Sequence, residues 1–167
     1  MLTRQRSLTV TWQDPLGSAE AGLAMSGIDY MHAVASGEIP PPPIARLLGM
    51  EIVETAEGRA VFAVTPAEQH YNPIGVVHGG IAATLLDSAM GCAVHTTLPA
   101  GWSYGTLDLS TRFVRPITGA TGRILCEGVV VHRGRTTATT EGRVWAEGSG
   151  KLLAHGSGSA LIRELTR

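Results

Sequence analysis

Apolar residues in the first quarter of the chain recur at intervals that suit a helix. Between residues 18 and 35 they predict one short amphipathic helix. Gly37 and the four prolines at 40–43 would end it, since glycine and proline both interrupt helical backbone. We therefore expect residues 1–43 to form a leader with a stiff proline spacer, ahead of a single domain that spans residues 44–167.

Shorter segments in which polar and apolar residues alternate predict strands beyond the leader. Residues 44–50 suit one more helical turn, and residues 50–55 and 59–65 predict a hairpin. Four more strands follow near the end of the chain, separated by turns that contain glycine. They are predicted at residues 106–114, 123–132, 136–147 and 152–161. Short turns between consecutive strands predict an antiparallel sheet.

Residues 80–95 fit neither pattern, because they are apolar on almost every side. Their length and composition predict a helix, which follows an irregular loop at residues 69–80. A helix that is apolar all round is normally buried at the centre of a structure. A sheet can bury such a helix only by curling around it. The sequence thus predicts an α+β fold with an antiparallel sheet wrapped around one central helix.

Composition narrows the classes of function. The chain has 167 residues, enough for one domain, and its charged fraction of 16% is below the usual value of about 25%, which indicates surface buried in an oligomer. A net charge of −1 provides no broad field for nucleic acid or an anionic membrane. The two cysteines, Cys92 and Cys126, are too few for a disulfide framework. The most apolar stretch, residues 79–94, is too short to span a membrane, and we expect a soluble cytoplasmic protein.

Asp87 is the first candidate for chemistry. It lies about two turns inside the predicted apolar helix, where a carboxylate is unfavourable unless a partner stabilises it. Only Thr84 and Ser88 offer hydrogen bonds nearby in the sequence. A buried aspartate with a structural role could explain the position, but isolated carboxylates of this kind cluster at functional sites.

Backbone donors at the start of the same helix are the second candidate. His78 precedes Gly79 and Gly80, and free N–H groups at the positive end of a helix can polarise a carbonyl or hold an oxyanion. An ordinary turn into the helix would also explain these glycines. Asn72, in the preceding loop, can orient a carbonyl or a water, or can simply form a turn before Pro73.

The spacing of these candidates favours a site shared by two chains. Gly79 and Asp87 are eight residues apart, which is about 12 Å of rise along one helix. Groups that act on one reacting centre must both lie close to it. If Gly79 and Asp87 act together, they must come from two chains whose helices are antiparallel across a twofold axis. The spacing therefore predicts a homodimer.

A third candidate is the turn formed by His132, Arg133, Gly134 and Arg135. Two guanidinium groups on a tight turn can bind phosphate, although a solvated hairpin tip would have the same composition. The histidines near Asp87 lack the spacing of a zinc site, so we expect no metal. The sequence also lacks the motifs of serine, cysteine and nucleotide hydrolases.

Two segments resemble the signature of the PaaI-like acyl-CoA thioesterases of the hotdog superfamily. They are residues 70–80, HYNPIGVVHGG, and residues 85–91, LLDSAMG. The segment 106–116 and the strand at 150–156 agree with this likeness, which extends over about residues 42–162. The resemblance implies a hotdog fold, a dimer or a dimer of dimers, and hydrolysis of acyl-CoA thioesters to a free acid and CoA without a cofactor.

The resemblance also implies roles for individual residues. Asp87 corresponds to the catalytic carboxylate, as general base or nucleophile. Gly79, after His78, and Asn72 would polarise or orient the thioester carbonyl from the opposite subunit. Thr106 would place a hydroxyl near the attacking water. The turn with Arg133, Gly134 and Arg135 would meet the phosphates or adenine of CoA.

Two alternatives within the same superfamily stay open. A hotdog hydratase normally places a catalytic histidine and an acid at other motif positions, so His78 and Asp87 favour a thioesterase. A non-catalytic acyl-CoA sensor would be expected to carry a DNA-binding segment, and residues 1–40 lack that pattern. The leader departs from the smallest relatives and can cover the acyl pocket or the subunit interface, so the size of the acyl group stays open.

Overall fold

The computed structural model describes residues 4–165, so residues 1–3 of the predicted leader and residues 166–167 of the predicted domain lie outside it. The helices are α1 (Pro15–Leu23), α2 (Gly27–Ser36), α3 (Pro43–Leu48) and α4 (Gly79–His95). The strands are β1 (Met50–Ala56), β2 (Arg59–Val64), β3 (Trp102–Phe113), β4 (Ile124–Arg133), β5 (Thr137–Ala146) and β6 (Leu152–Glu164). Single turns of 3-10 helix lie at Glu68–His70 and Gly119–Thr121.

The six strands form one antiparallel sheet around α4. Their order is β1-β2-β4-β5-β6-β3, and α4 packs against β2, β3, β4, β5 and β6. This confirms the predicted fold. The start of β3 was wrong in the sequence-based prediction: the strand begins at Trp102, which pairs with Glu164, and not at Thr106. Gly101 and Gly105 gave the segment the composition of a loop, but pairing with the long β6 keeps it extended.

A row of three glycines lets α4 approach the sheet closely. Gly128 on β4 pairs with Gly142 on β5, which pairs with Gly156 on β6. A Cβ atom at Gly128 would lie 2.3 Å from the backbone carbonyl carbon of Ala89. At Gly142 a Cβ atom would lie 2.9 Å from a methyl of Leu86. Glycine is required at this crossing because any side chain would push helix and sheet apart.

One side of α4 is less completely buried than the rest. Its sheet-facing residues are fully buried, as Ala82, Leu85, Leu86 and Ala89 show. The partly exposed residues include a stripe with spacings of three and four, formed by Ile81, Thr84, Ser88, Cys92 and His95. Residues at this spacing share one helix face. The helix therefore has a second face that the sheet does not cover.

The leader contains two helices where the sequence predicted one over residues 18–35. Ser26 separates them: its side chain caps α2 by accepting a hydrogen bond from the Asp29 N–H over 3.3 Å. Ser-x-x-Asp is a helix-start signal that the apolar spacing obscured. At its other end, α2 stops at Gly37 in the left-handed conformation, as predicted.

The leader is fixed to the C-terminal end of α4. The Gly27 N–H donates to the Leu98 carbonyl over 2.9 Å, and the Gly101 N–H donates to the Leu23 carbonyl over 3.0 Å. Gly27 also lies against the last residue of α4, since a Cβ atom there would be only 1.8 Å from the His95 carbonyl oxygen. These contacts hold α1 and α2 beside the uncovered face of α4.

Candidate active site

Asp87 and Thr106 form the polar centre of the candidate site. The Thr106 hydroxyl on β3 donates a hydrogen bond to Asp87 Oδ1 on α4 over 2.8 Å. Within residues 4–165, no group donates to the other oxygen, Oδ2. Thr84 and Ser88 were the candidates nearby in the sequence, but neither is hydrogen-bonded to Asp87 in the described residues: the Thr84 hydroxyl instead donates to the Gly80 carbonyl. The carboxylate is also half-buried and not fully buried in the protomer.

The start of α4 presents one uncommitted backbone donor. His78 caps the helix, and its ring Nδ1 accepts the hydrogen bond of the Gly80 N–H over 2.9 Å. The Gly79 N–H has no acceptor among residues 4–165. His78 is therefore a helix cap in this structure, and Gly79 supplies the free donor at the positive end of the helix.

Asn72 uses one half of its side-chain amide to hold the loop before α4. Its Oδ1 accepts hydrogen bonds from the backbone N–H groups of Ile74 and Val76, over 3.1 and 3.3 Å. This is the turn-forming role that the sequence left open. Among the described residues, no group accepts a hydrogen bond from the Nδ2 amino group. Asn72 thus has a fixed orientation and a free donor.

These groups do not converge within one protomer. Asp87 and Thr106 are in contact, but Gly79 lies on the same helix as Asp87, about 12 Å away along its axis. The first residue of a helix and a residue two turns further on cannot both contact one reacting atom.

The arginine turn joins β4 to β5 and is exposed. His132 and Arg133 end β4, Arg135 lies in the turn, and the side chains of all three face solvent. The turn is closed by the Gly134 N–H, which donates to the Thr137 carbonyl over 2.8 Å. None of its side chains forms a salt bridge within residues 4–165. The two guanidinium groups are therefore available to an anion.

Strand register relates this turn to Thr106. Arg133 pairs with Ala138, Ala138 pairs with Ala160, and Ala160 pairs with Thr106. Three strand spacings of about 4.8 Å put Arg133 about 14 Å from Thr106 along this row. The turn is therefore aligned with the candidate site without contacting it.

A cavity of about 780 Å³ is lined by both Asp87 and Thr106. On α4 its wall continues along the uncovered face through Ser88, Cys92 and His95. The opposite wall belongs to the leader. Small-molecule sites typically have volumes of about 300–1,000 Å³, so the cavity is large enough for an organic ligand.

Uncharged polar groups gather in this cavity near the end of α4. Burial raises the pKa of Cys92 to about 12 and raises the pKa of Tyr104 well above its usual value. Burial lowers the pKa of His95, whose ring packs edge-on against Tyr30 with centroids 5.5 Å apart. From the sequence, Cys92 was assigned to the apolar core of the predicted helix, whereas in the structure it lines the cavity. Ser88, Cys92 and His95 are four and three residues apart, a spacing that places them on one face of the helix. This spacing could have predicted that they line one surface.

Two further findings concern metal binding and membrane-spanning helices. Across residues 4–165 there is no group of three or more His, Cys, Asp and Glu side chains that could hold a metal ion. None of the helices in that part of the chain is long and apolar enough to cross a membrane.

Comparisons with known proteins identify the family of the chain. The model of the Thioesterase superfamily matches residues 74–153, a range that includes Gly79, Asp87, Thr106 and the arginine turn. A Halobacterium salinarum protein provisionally named as an esterase is 32% identical over 124 residues, which are 70% of this chain and 80% of that protein. Human acyl-coenzyme A thioesterase 13 is 30% identical over 96 residues, covering 57% and 67% of the two chains.

The fold of the chain is also similar to that of a solved structure. A phenylacetic acid degradation-related protein of Ralstonia eutropha, provisionally described as a thioesterase, is 28% identical with a TM-score of 0.72. The match covers 79% of this chain and 98% of that one. The chain therefore belongs to the thioesterase superfamily and has the hotdog fold, which confirms the PaaI-like resemblance.

Proposed function

We propose that this protein hydrolyses acyl-CoA thioesters to a free acid and coenzyme A. The observation that carries the proposal is the Asp87 carboxylate, which Thr106 holds beside a cavity large enough for an acyl group. The likeness to human acyl-coenzyme A thioesterase 13 supports a CoA thioester as the substrate class.

The active site of this proposal lies between two copies of the chain. In the described chain β3 pairs only with β6, so its other edge has open backbone donors and acceptors that can pair with a further strand. Leu107 and Phe113 on this strand are 57% and 61% exposed. Antiparallel pairing of β3 with a second β3 sets the two α4 helices antiparallel. The start of one helix then comes beside the middle of the other.

In this dimer each site is completed by its partner. Asp87 and Thr106 come from one subunit, and the Gly79 N–H and Asn72 Nδ2 come from the other. Both donors are uncommitted in the protomer, as an oxyanion hole requires. They bind the thioester carbonyl oxygen and stabilise the negative charge that develops on it.

Hydrolysis then needs no metal or cofactor. Acting as a general base, Asp87 takes a proton from water through Oδ2, and the water oxygen attacks the carbonyl carbon. The C–S bond breaks as the tetrahedral intermediate collapses, and the departing thiolate takes the proton from Asp87. Acting as a nucleophile, the same oxygen would attack the carbonyl carbon and expel the thiolate of CoA, which forms an anhydride. Water would then hydrolyse the anhydride to the free acid and Asp87, and its second proton would go to the thiolate. Both routes use the orientation that Thr106 imposes.

The arginine turn is proposed to bind the phosphates of CoA. Arg133 and Arg135 are exposed and unpaired within the described chain, and two guanidinium groups suit a phosphate. Their separation from the site, about 14 Å along the sheet, leaves room for the pantetheine arm between thioester and phosphate. His132 and Gly134 shape this turn.

The direct test is release of free thiol from a series of acyl-CoA substrates. We expect the wild type to hydrolyse a subset, and Asp87→Asn to lower kcat by about 10²–10⁴-fold with little change in thermal stability. Glu141→Gln is the control, because this exposed carboxylate lies on β5, away from the edge strand β3. Full activity of Asp87→Asn would contradict the proposal, and a wild type that binds acyl-CoA without releasing thiol would be a non-catalytic binder.

A further inference from the structure

The sheet leaves one side of α4 open, and the leader covers that side. β1 and β3 are the two edges of the sheet, and both contribute residues to the 780 Å³ cavity, among them Ile52 and Trp102. Between these edges the cavity is bounded by the stripe of α4 that carries Ser88, Cys92 and His95. α2 forms the facing wall with Tyr30, Met31 and Val34.

The facing wall and the catalytic pair are far apart in the sequence. Asp87 lies on α4 and Thr106 on β3, whereas α1 and α2 end before residue 37. The contacts of Gly27 with Leu98 and His95 hold this wall in place. Substitutions can therefore alter the wall without changing the catalytic pair.

We propose that the leader is the specificity wall of the acyl pocket, and that Tyr30 and Val34 on α2 limit the pocket to an uncharged acyl chain of about ten carbon atoms. This inference rests on the proposed thioesterase function and names the substrate class for that same site.

The length follows from the geometry of α4. Asp87, beside the reacting carbonyl, and His95, at the far end of the cavity, are eight residues apart, which is about 12 Å along the helix. Three extended covalent bonds of a chain span about 3.3–3.6 Å, so this distance accommodates about ten bonds. A phenylacetyl group is shorter and would leave the end near Tyr30 empty.

The chemistry of the far end favours an uncharged chain. The charged side chains that line the described cavity are those of Arg46, Glu51 and Asp87, and both Arg46 and Glu51 are exposed at the surface. Around His95 the lining is aromatic, with Tyr30 and Tyr104 at centroid distances of 5.5 and 5.8 Å. Burial lowers the pKa of His95, which favours the uncharged form of the ring. A charged acyl terminus would find no counter-ion there.

The test compares chain-length profiles of full-length variants on butyryl-, decanoyl-, tetradecanoyl- and phenylacetyl-CoA. Val34→Phe adds a ring to the wall and should lower kcat/KM for decanoyl-CoA roughly tenfold or more, with butyryl-CoA changed less than about twofold. Tyr30→Ala opens the far end and should move the preference towards tetradecanoyl-CoA. His32→Phe adds the same ring on the exposed side of α2 and should leave the profile unchanged.

The possible outcomes distinguish failure of the specificity wall from failure of the proposed thioesterase function. Opposite shifts in Val34→Phe and Tyr30→Ala support the specificity wall. Wild-type profiles in both folded variants, or a wild-type preference for phenylacetyl-CoA over decanoyl-CoA, overturn it while leaving the thioesterase intact. If Val34→Phe does not fold, Tyr30→Ala decides alone. If the wild type releases thiol from no substrate, the proposed function fails and the inference fails with it.

Discussion

The Thr106 hydroxyl donates a 2.8 Å hydrogen bond to Asp87 Oδ1, linking the edge strand of the sheet to the centre of the helix that the sheet surrounds. This bond fixes the plane of the carboxylate and leaves Oδ2 as its free oxygen. It also places the carboxylate beside the edge strand β3, which pairs with a second copy of the chain in the proposed dimer.

Removing the Thr106 hydroxyl should impair catalysis without removing the carboxylate. A hydrogen bond to a charged group is worth about 1.5–3 kcal/mol, so Thr106→Val should lower kcat/KM about ten- to a hundredfold. Thr106→Ser keeps the donor and should retain most of the activity. Steady-state thiol release measures both variants. Equal activity of Thr106→Val and Thr106→Ser would show that the bond does not position Asp87.

Neutralising the arginine turn should weaken binding more than turnover. The variant with Arg133→Ala and Arg135→Ala loses two phosphate donors, so its KM for acyl-CoA should rise about tenfold or more while kcat changes little. Arg163→Ala, which removes another exposed arginine on β6, is the control. An unchanged KM in the double variant would place CoA on another surface.

The glycine row should be intolerant of any side chain. Gly128→Ala puts a methyl group 2.3 Å from the Ala89 carbonyl carbon, so backbone must move. We expect the free energy of unfolding to fall by about 1–3 kcal/mol or more. Gly148→Ala, whose Cβ would have no neighbour within 4 Å, should change it by less than about 0.5 kcal/mol. Urea unfolding compares the two, and equal stabilities would refute the close helix–sheet packing.

The central helix and the antiparallel sheet could be predicted because their signals are local. The all-round apolar pattern of residues 80–95 required a wrapped helix, and α4 is found at Gly79–His95. Strand alternation likewise placed most of the strands. The single helix over residues 18–35 was wrong because apolar spacing hid the cap at Ser26. The early start of β3 was missed because it depends on pairing with the distant β6.

The candidate site was only partly predictable, because some of its contacts join residues that are distant in the sequence. Asp87 could be singled out because a carboxylate conflicts with its apolar surroundings. Its partner Thr106 is 19 residues away on a strand, and that contact exists only after the sheet curls around α4. The cavity wall contributed by α2 depends on the docking of Gly27 beside His95, which leaves no periodic signal in the sequence.

The most direct test of the shared site mixes two inactive variants of the full-length chain. Asp87→Asn removes the carboxylate. Asn72→Asp keeps the oxygen that accepts from Ile74 and Val76 but removes the Nδ2 donor. In a mixed dimer with a shared site, one of the two sites receives both wild-type groups.

Thiol release is measured for each variant alone and after the two chains are co-expressed and purified together. Each variant alone should be nearly inactive. If half of the co-expressed dimers are mixed and one of their two sites is intact, activity should return to roughly a quarter of the wild-type value. Activity no higher than that of the separate variants, with mixed dimers shown to be present, would contradict a site built from two subunits.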